Sequence, residues 1–140
     1  MQQPPIAGLL FTGIIYGFFF SMIKILLVDD DSDLLLLLGQ VLERKGYQVF
    51  RVADGGNVMR TVTAVRPDII VLDINMGRYN GRNICYEVKS HPAYAHIPVV
   101  LFSAVASEAD ALKSCKADGF IEKPVSTHSF LHKIESLIAA

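Results

Sequence analysis

Residues 23–33 read IKILLVDDDSD. The first six are apolar apart from Lys24, a run of the length of a strand rather than a helix, and it stops on three consecutive aspartates. Ser32 and Asp33 follow, both good N-cap types, and open a leucine-rich helical stretch to Lys45 that Gly46 closes as a C′ residue would. This unit of buried strand, polar stop and helix recurs along the chain. Residues 47–52 alternate as a short strand, Asp54-Gly55-Gly56 breaks the chain, and a helix runs to about Val65 before Arg66-Pro67. Ile69-Ile70-Val71-Leu72 is a continuous apolar run of the kind found in parallel strands buried on both faces, and it ends on Asp73. Residues 77–81 read as a loop, followed by a helix through Glu87 to about Ser90. Val99-Val100-Leu101-Phe102 is another buried strand, and Ser107 caps a helix to about Lys116. Gly119-Phe120-Ile121 is a short strand, Lys123-Pro124 a turn, and residues 126–138 a final amphipathic helix. Five such units predict an α/β fold: a parallel sheet with right-handed crossovers and helices on both faces.

In sheets of this kind ligands bind outside the carboxyl ends of the strands. Asp29 and Asp30, Asp73, Ser103 and Lys123 all fall at those ends, after the first, third, fourth and fifth strands. Two carboxylates about 4 Å apart repel by roughly 4 kcal/mol at an effective dielectric of about 20. An acidic cluster facing Asp73 therefore needs a cation, or one acid must keep its proton. The all-oxygen environment suits Mg²⁺. Three consecutive aspartates cannot all point the same way. Asp29 and Asp30 read as metal-facing, whereas Asp31 and Asp33 read as caps that complement the helix N-terminus. Asp73 is either a turn cap or a nucleophile able to form an acyl phosphate. Lys123 is either a solvated lysine or a partner for Asp73 and a phosphoryl oxygen, and Pro124 favours a fixed turn. Ser103 caps a helix or offers its hydroxyl to a phosphoryl oxygen.

At 140 residues, 51% hydrophobic and 19% charged, the chain is one globular domain. A net charge of −1 gives no reason to expect direct contact with nucleic acid. Cys85 and Cys115 form no CxxC and read as reduced thiols of a cytoplasmic protein. His128 and His132 are four apart on a helix, a metal-binding spacing, but no third ligand is evident. The first 22 residues differ from the rest. Residues 6–23, IAGLLFTGIIYGFFFSMI, carry no charge and are just long enough to span a membrane. No Lys or Arg precedes them, so they make a poor signal peptide, and no linker separates them from the first strand. Three readings stand. The start lies upstream of a native Met22, the segment contacts a membrane or partner, or it folds onto the domain at 23–140. The N-terminal sequence of the native protein decides among them.

Residues 23–140 resemble the receiver domain of two-component response regulators. The resemblance is carried by ILLVDDD at 25–31, DINMGRYNG at 73–81, LFSA at 101–104 and ADGFIEKP at 117–124. It implies a flavodoxin-like, doubly wound (βα)5 fold with strand order 2-1-3-4-5. Asp73 would be the phospho-acceptor. Asp30 would ligate Mg²⁺ directly, Asp29 would help through water, and Asn75 would supply a backbone carbonyl. Ser103 would be the switch hydroxyl, Phe120 the switch aromatic that turns inward, and Lys123 the phosphate-pairing lysine, with Lys123-Pro124 cis. A histidine kinase or histidine phosphotransfer protein would be the donor, and a downstream effector the target. The protein would be a signalling phosphoprotein and not a turnover enzyme. Two positions depart from the pattern. Gly77 replaces the usual proline, which predicts a looser loop. Gly119 stands where dimerising DNA-binding members carry an acid, which weighs against a dimer of that type.

Leu34 to Leu38 are five consecutive leucines on one helix. A helix buries one stripe, so some must face outward, covered by neighbours or presented as a docking surface for the phosphodonor. Two other functions fit less well. Asp29-x-Asp31 after an apolar strand resembles the first motif of haloacid-dehalogenase-type phosphatases, but Asp33 replaces the expected Thr or Val and no late acidic pair follows. A receiver used only as a non-phosphorylated docking module is the other.

Overall fold

The computed structural model describes residues 22–104 and 108–139. In chain order the elements are β1 (Lys24–Val28), α1 (Ser32–Arg44), β2 (Gln48–Val52), a 3₁₀ turn (Gly55–Asn57), α2 (Val58–Val65), β3 (Ile69–Asp73), β4 (Asn75–Met76), β5 (Tyr79–Asn80), α3 (Gly81–Ser90), β6 (Val99–Ser103), α4 (Glu108–Cys115), β7 (Gly119–Glu122) and α5 (Thr127–Ala139). Five strands form one parallel sheet in the order β2-β1-β3-β6-β7. Counting only these strands, the order is the expected 2-1-3-4-5.

The continuous apolar runs are explained by the two-residue period of a strand. Leu26 and Val28 of β1, Ile70 and Leu72 of β3, and Leu101 of β6 enter one core with α2, α3 and Cys115 of α4. Their neighbours Ile25, Leu27, Ile69, Val71, Val100 and Phe102 enter a second core with Leu35, Leu38 and Leu42 of α1 and Phe130 and Ile134 of α5. Helices on both faces leave β3 and β6 buried along their whole length.

Helix α1 is capped by Asp31, one of the two aspartates read as caps, and not by Ser32 or Asp33. Asp31 is extended (φ −84°, ψ 100°), and its Oδ1 accepts the Leu34 N–H at 3.1 Å; Ser32 is already helical and Asp33 lies in the first turn. At the other end Gly46 takes φ +93°. Its N–H reaches Glu43 O at 3.0 Å, and the Tyr47 N–H reaches Leu42 O at 3.3 Å, the pairing of a Schellman motif. Of the leucine run, Leu35 and Leu38 are buried, while Leu36 and Leu37 are 55% and 50% exposed. Helix α5 starts after Ser126, whose Oγ accepts the Ser129 N–H at 3.0 Å. The Ser107 cap expected for α4 lies outside the described residues.

Residues 77–81 are not a plain loop. Asn75 pairs with Asn80 and Met76 with Tyr79 in a small antiparallel hairpin turned by Gly77 and Arg78. Gly77 has φ +61°, as the first central position of a II′ turn requires. Proline, fixed near −65°, cannot take that conformation. The glycine at this departure from the family pattern thus takes the positive-φ position of a defined turn. Among the described residues no helix is long and apolar enough to cross a membrane.

Candidate functional site

The site lies at the carboxyl end of the sheet, where the strand ends bring distant residues together. The described core contains three buried polar side chains: Asp29, 3% exposed after β1, Asp73 at the end of β3, and Ser103 at the end of β6. Asp29 Oδ1 accepts the Asp31 N–H at 2.9 Å, and the two side chains serve different ends: Asp29 is buried at the site, whereas Asp31 caps its helix. Asp30 is exposed, yet one carboxylate oxygen from each of Asp29, Asp30 and Asp73 lies within 4.8 Å of the others.

Lys123 is the cation facing this cluster. Its Nζ donates to Asp29 Oδ2 at 2.7 Å and stands 3.6 Å from Asp73 Oδ1, so its main partner is Asp29, not Asp73 as the sequence suggested. The ammonium also sits 4.8 Å from the centroid of the Phe102 ring. The Lys123 backbone is fixed as well: its N–H donates to Ser103 O at 3.0 Å, and the Lys123-Pro124 peptide is cis as expected.

Asp73 accepts the Asn75 N–H at a long 3.4 Å. Its carboxyl is lifted from the usual 3.8 to about 6, first by burial and then by the Asp29 charge, with Asp30 adding to the effect; Lys123 and the Asn75 N–H oppose it without cancelling it. One lysine does not neutralise three converging acids. The oxygen-only donor set and the unbalanced negative charge of Asp29, Asp30 and Asp73 fit a hard divalent cation.

Phe120 is 9% exposed and packs with Leu101, Cys115 and Ala117. Beside Lys123, an open cleft of about 360 Å³ is lined by Leu34, Phe102, Ala104, Lys123, Pro124 and Val125. It joins the acidic site to the first turn of α1.

Two contributions escaped the sequence. Gly81 admits the close approach of α3 to β3: a Cβ there would lie 2.1 Å from Asp73 O. Tyr79 packs across Gly55 and Gly56. All three glycines were visible as chain breakers, but what each would touch is a tertiary fact.

The family model for the response regulator receiver domain matches residues 25–135. The chain is 35% identical over 119 residues to the transcriptional regulatory protein YxdJ of Bacillus subtilis, covering 84% of this chain and 51% of that one. It is 31% identical over 117 residues to the transcriptional regulatory protein GltR of Pseudomonas aeruginosa, covering 82% and 48%. The chain thus spans about half the length of these curated relatives. The chemotaxis response regulator CheY4 of Vibrio cholerae superposes with a TM-score of 0.78 at 25% identity, over 84% of this chain and 99% of that one. A signal receiver domain of a histidine kinase from Syntrophus aciditrophicus superposes with a TM-score of 0.75 at 31% identity, over 83% and 89%. The chain belongs to the response regulator receiver family of two-component signalling.

Proposed function

We propose that this receiver accepts a phosphoryl group on Asp73 from a phosphohistidine of a histidine kinase or phosphotransfer protein, and switches a partner by the change that follows. The observation that carries the reading is the acid pair Asp29 and Asp73, both buried at strand ends with Lys123 between them. An Asp73 oxygen attacks phosphorus, the P–O bond forms as the P–N bond breaks, and the imidazole leaves as the donor's neutral histidine once protonated. Asp29, Asp30 and Asp73, with the Asn75 carbonyl, would hold Mg²⁺, which when bound neutralises charge on the transferring group. Lys123 then exchanges part of its attraction to Asp29 for a phosphoryl oxygen, and the Ser103 hydroxyl donates to another. The product adds close to two negative charges to the strand end. Phe120, seated inside, is the element whose inward state that product favours. Going from 1:99 to 99:1 requires roughly 5.5 kcal/mol of differential stabilisation, which a few charge-assisted hydrogen bonds and the metal supply.

In this reading residues 23–140 are the functional unit of a cytoplasmic signalling protein, and residues 1–22 an apolar addition. Its chemistry is one phosphoryl group per chain, not turnover. Intact mass after incubation with acetyl phosphate and Mg²⁺ tests it: one addition is expected, and none would leave only the docking module.

Leu36 and Leu37 supply the donor's docking surface, next to the cleft at Leu34. Changing both to Glu should slow transfer from the donor protein by at least about tenfold, the scale of losing a buried apolar anchor. Labelling by acetyl phosphate should be unchanged, because that donor needs no docking face. Equal loss with both donors would reject the assignment.

A further inference from the structure

The hairpin that follows Asp73 has only two ladder pairs, and an isolated two-stranded hairpin is marginal at best. Something outside it must hold it. Met76 anchors one strand in the core, 3% exposed. The other strand is held by Tyr79. A Cβ on Gly55 would come within 2.6 Å of Tyr79 Cβ and 2.7 Å of Cγ, and one on Gly56 within 2.6 Å of the Tyr79 hydroxyl. The ring lies directly on glycine backbone that no other residue type would leave clear. The Asp54 carboxylate fixes that backbone by accepting the Gly56 N–H at 2.9 Å. Arg78 stands over the ring, 5.2 Å from its centroid, and donates to the hydroxyl at 3.3 Å.

We propose that Tyr79, clamped on Gly55 and Gly56, is a positioning residue for the cation site: it sets where the backbone of Asn75 lies beside Asp73. The inference rests on reading Asp29, Asp30 and Asp73 as a cation-holding phosphoryl site. Asn75 faces Asn80 in the hairpin, one residue from Tyr79, so freeing the ring frees the segment that rims the carboxylates. Tyr79 is partly exposed and peripheral to the core, so its loss acts on the loop more than on the sheet.

The geometry supplies its own double-mutant cycle. Gly56→Ala collides with the Tyr79 hydroxyl, and Tyr79→Phe removes that hydroxyl while keeping the ring. Mg²⁺ affinity is read by titration calorimetry, and hairpin mobility by amide exchange. Tyr79→Ala and Gly56→Ala should each raise the Mg²⁺ dissociation constant at least about fivefold, as loss of support around a metal site does. Exchange in the hairpin should quicken about tenfold while exchange in β1, β3 and β6 stays as in the wild type. Tyr79→Phe should bind Mg²⁺ within about twofold of the wild type, and Gly56→Ala/Tyr79→Phe should recover most of the loss, the ring Cζ remaining 3.1 Å from the new Cβ. Wild-type affinity in Tyr79→Ala, or a double variant as weak as Gly56→Ala, overturns the positioning role alone. A wild type that binds no Mg²⁺ overturns the cation site and this proposal with it.

Discussion

Asp73→Asn is expected to take up no phosphoryl group from acetyl phosphate and Mg²⁺, and to be more stable than the wild type at about pH 7.5 without metal. The first result follows from chemistry, since an amide oxygen at this position forms no acyl phosphate. The second follows from the site's electrostatics. Lifting a carboxyl from 3.8 to about 6 corresponds to roughly 3 kcal/mol against the ionised folded form. Below about pH 4 the group is protonated in both folded and unfolded chains and carries no penalty. Between 3.8 and about 6 the folded chain keeps a proton that the unfolded chain has lost, so stability falls as pH rises. Above about 6 the penalty is complete. Asparagine removes it, at the loss of the 3.6 Å attraction to Lys123, which keeps its shorter bond to Asp29. A net gain of about 1–2 kcal/mol remains after water at the rim screens part of the repulsion. Urea titrations from pH 4 to 8 measure it: the advantage should grow with pH and shrink when Mg²⁺ is added, because the cation stabilises the carboxylate and not the amide. An Asp73→Asn chain less stable than the wild type at neutral pH would refute the electrostatic account. Its labelling as well as the wild type would refute the acceptor assignment.

The sequence was read well where local pattern and topology carry the information, and poorly where contact does. The runs at 25–28, 69–72 and 99–102 announced buried strands because burial on both faces tolerates no polar residue. The strand ends then put Asp29, Asp73, Ser103 and Lys123 in one place, a result of strand order and not of any local signal. Which acid Lys123 would choose was not legible. Asp29 and Asp73 both end apolar strands, and a difference of 3.6 against 2.7 Å is decided by packing around Phe102 and the Ser103 backbone. The hairpin at 75–80 was missed for a related reason. Strands of two residues show no periodicity, and the one cue, Gly77, signals a missing proline as readily as a positive-φ turn former.

Gly81→Ala separates room from conformation as reasons for a glycine. Gly81 opens α3 without a positive φ, so alanine's backbone preferences suit it. The obstacle is space: the new Cβ would lie 2.1 Å from Asp73 O and 2.9 Å from both Asp73 C and Ile74 Cα. All three are backbone atoms of the strand end, so no side chain can swing aside. Relief requires the start of α3 to leave β3, which stretches the 2.7 Å bond from the Gly81 N–H to Ile74 O and tilts the residue that carries the reactive carboxylate. Overpacking plus a weakened buried hydrogen bond should cost about 3 kcal/mol. Gly77→Ala provides the contrast. It meets nothing within 4 Å but holds φ +61°, and should cost only about 1 kcal/mol. Urea unfolding gives both values, and intact mass under acetyl phosphate shows the effect on the site. Gly81→Ala should lose most phosphoryl uptake even where it remains folded, and Gly77→Ala should keep most of it. Equal costs for the two substitutions would mean that α3 relaxes away from Asp73 freely, and that the close approach does not hold the acceptor in place.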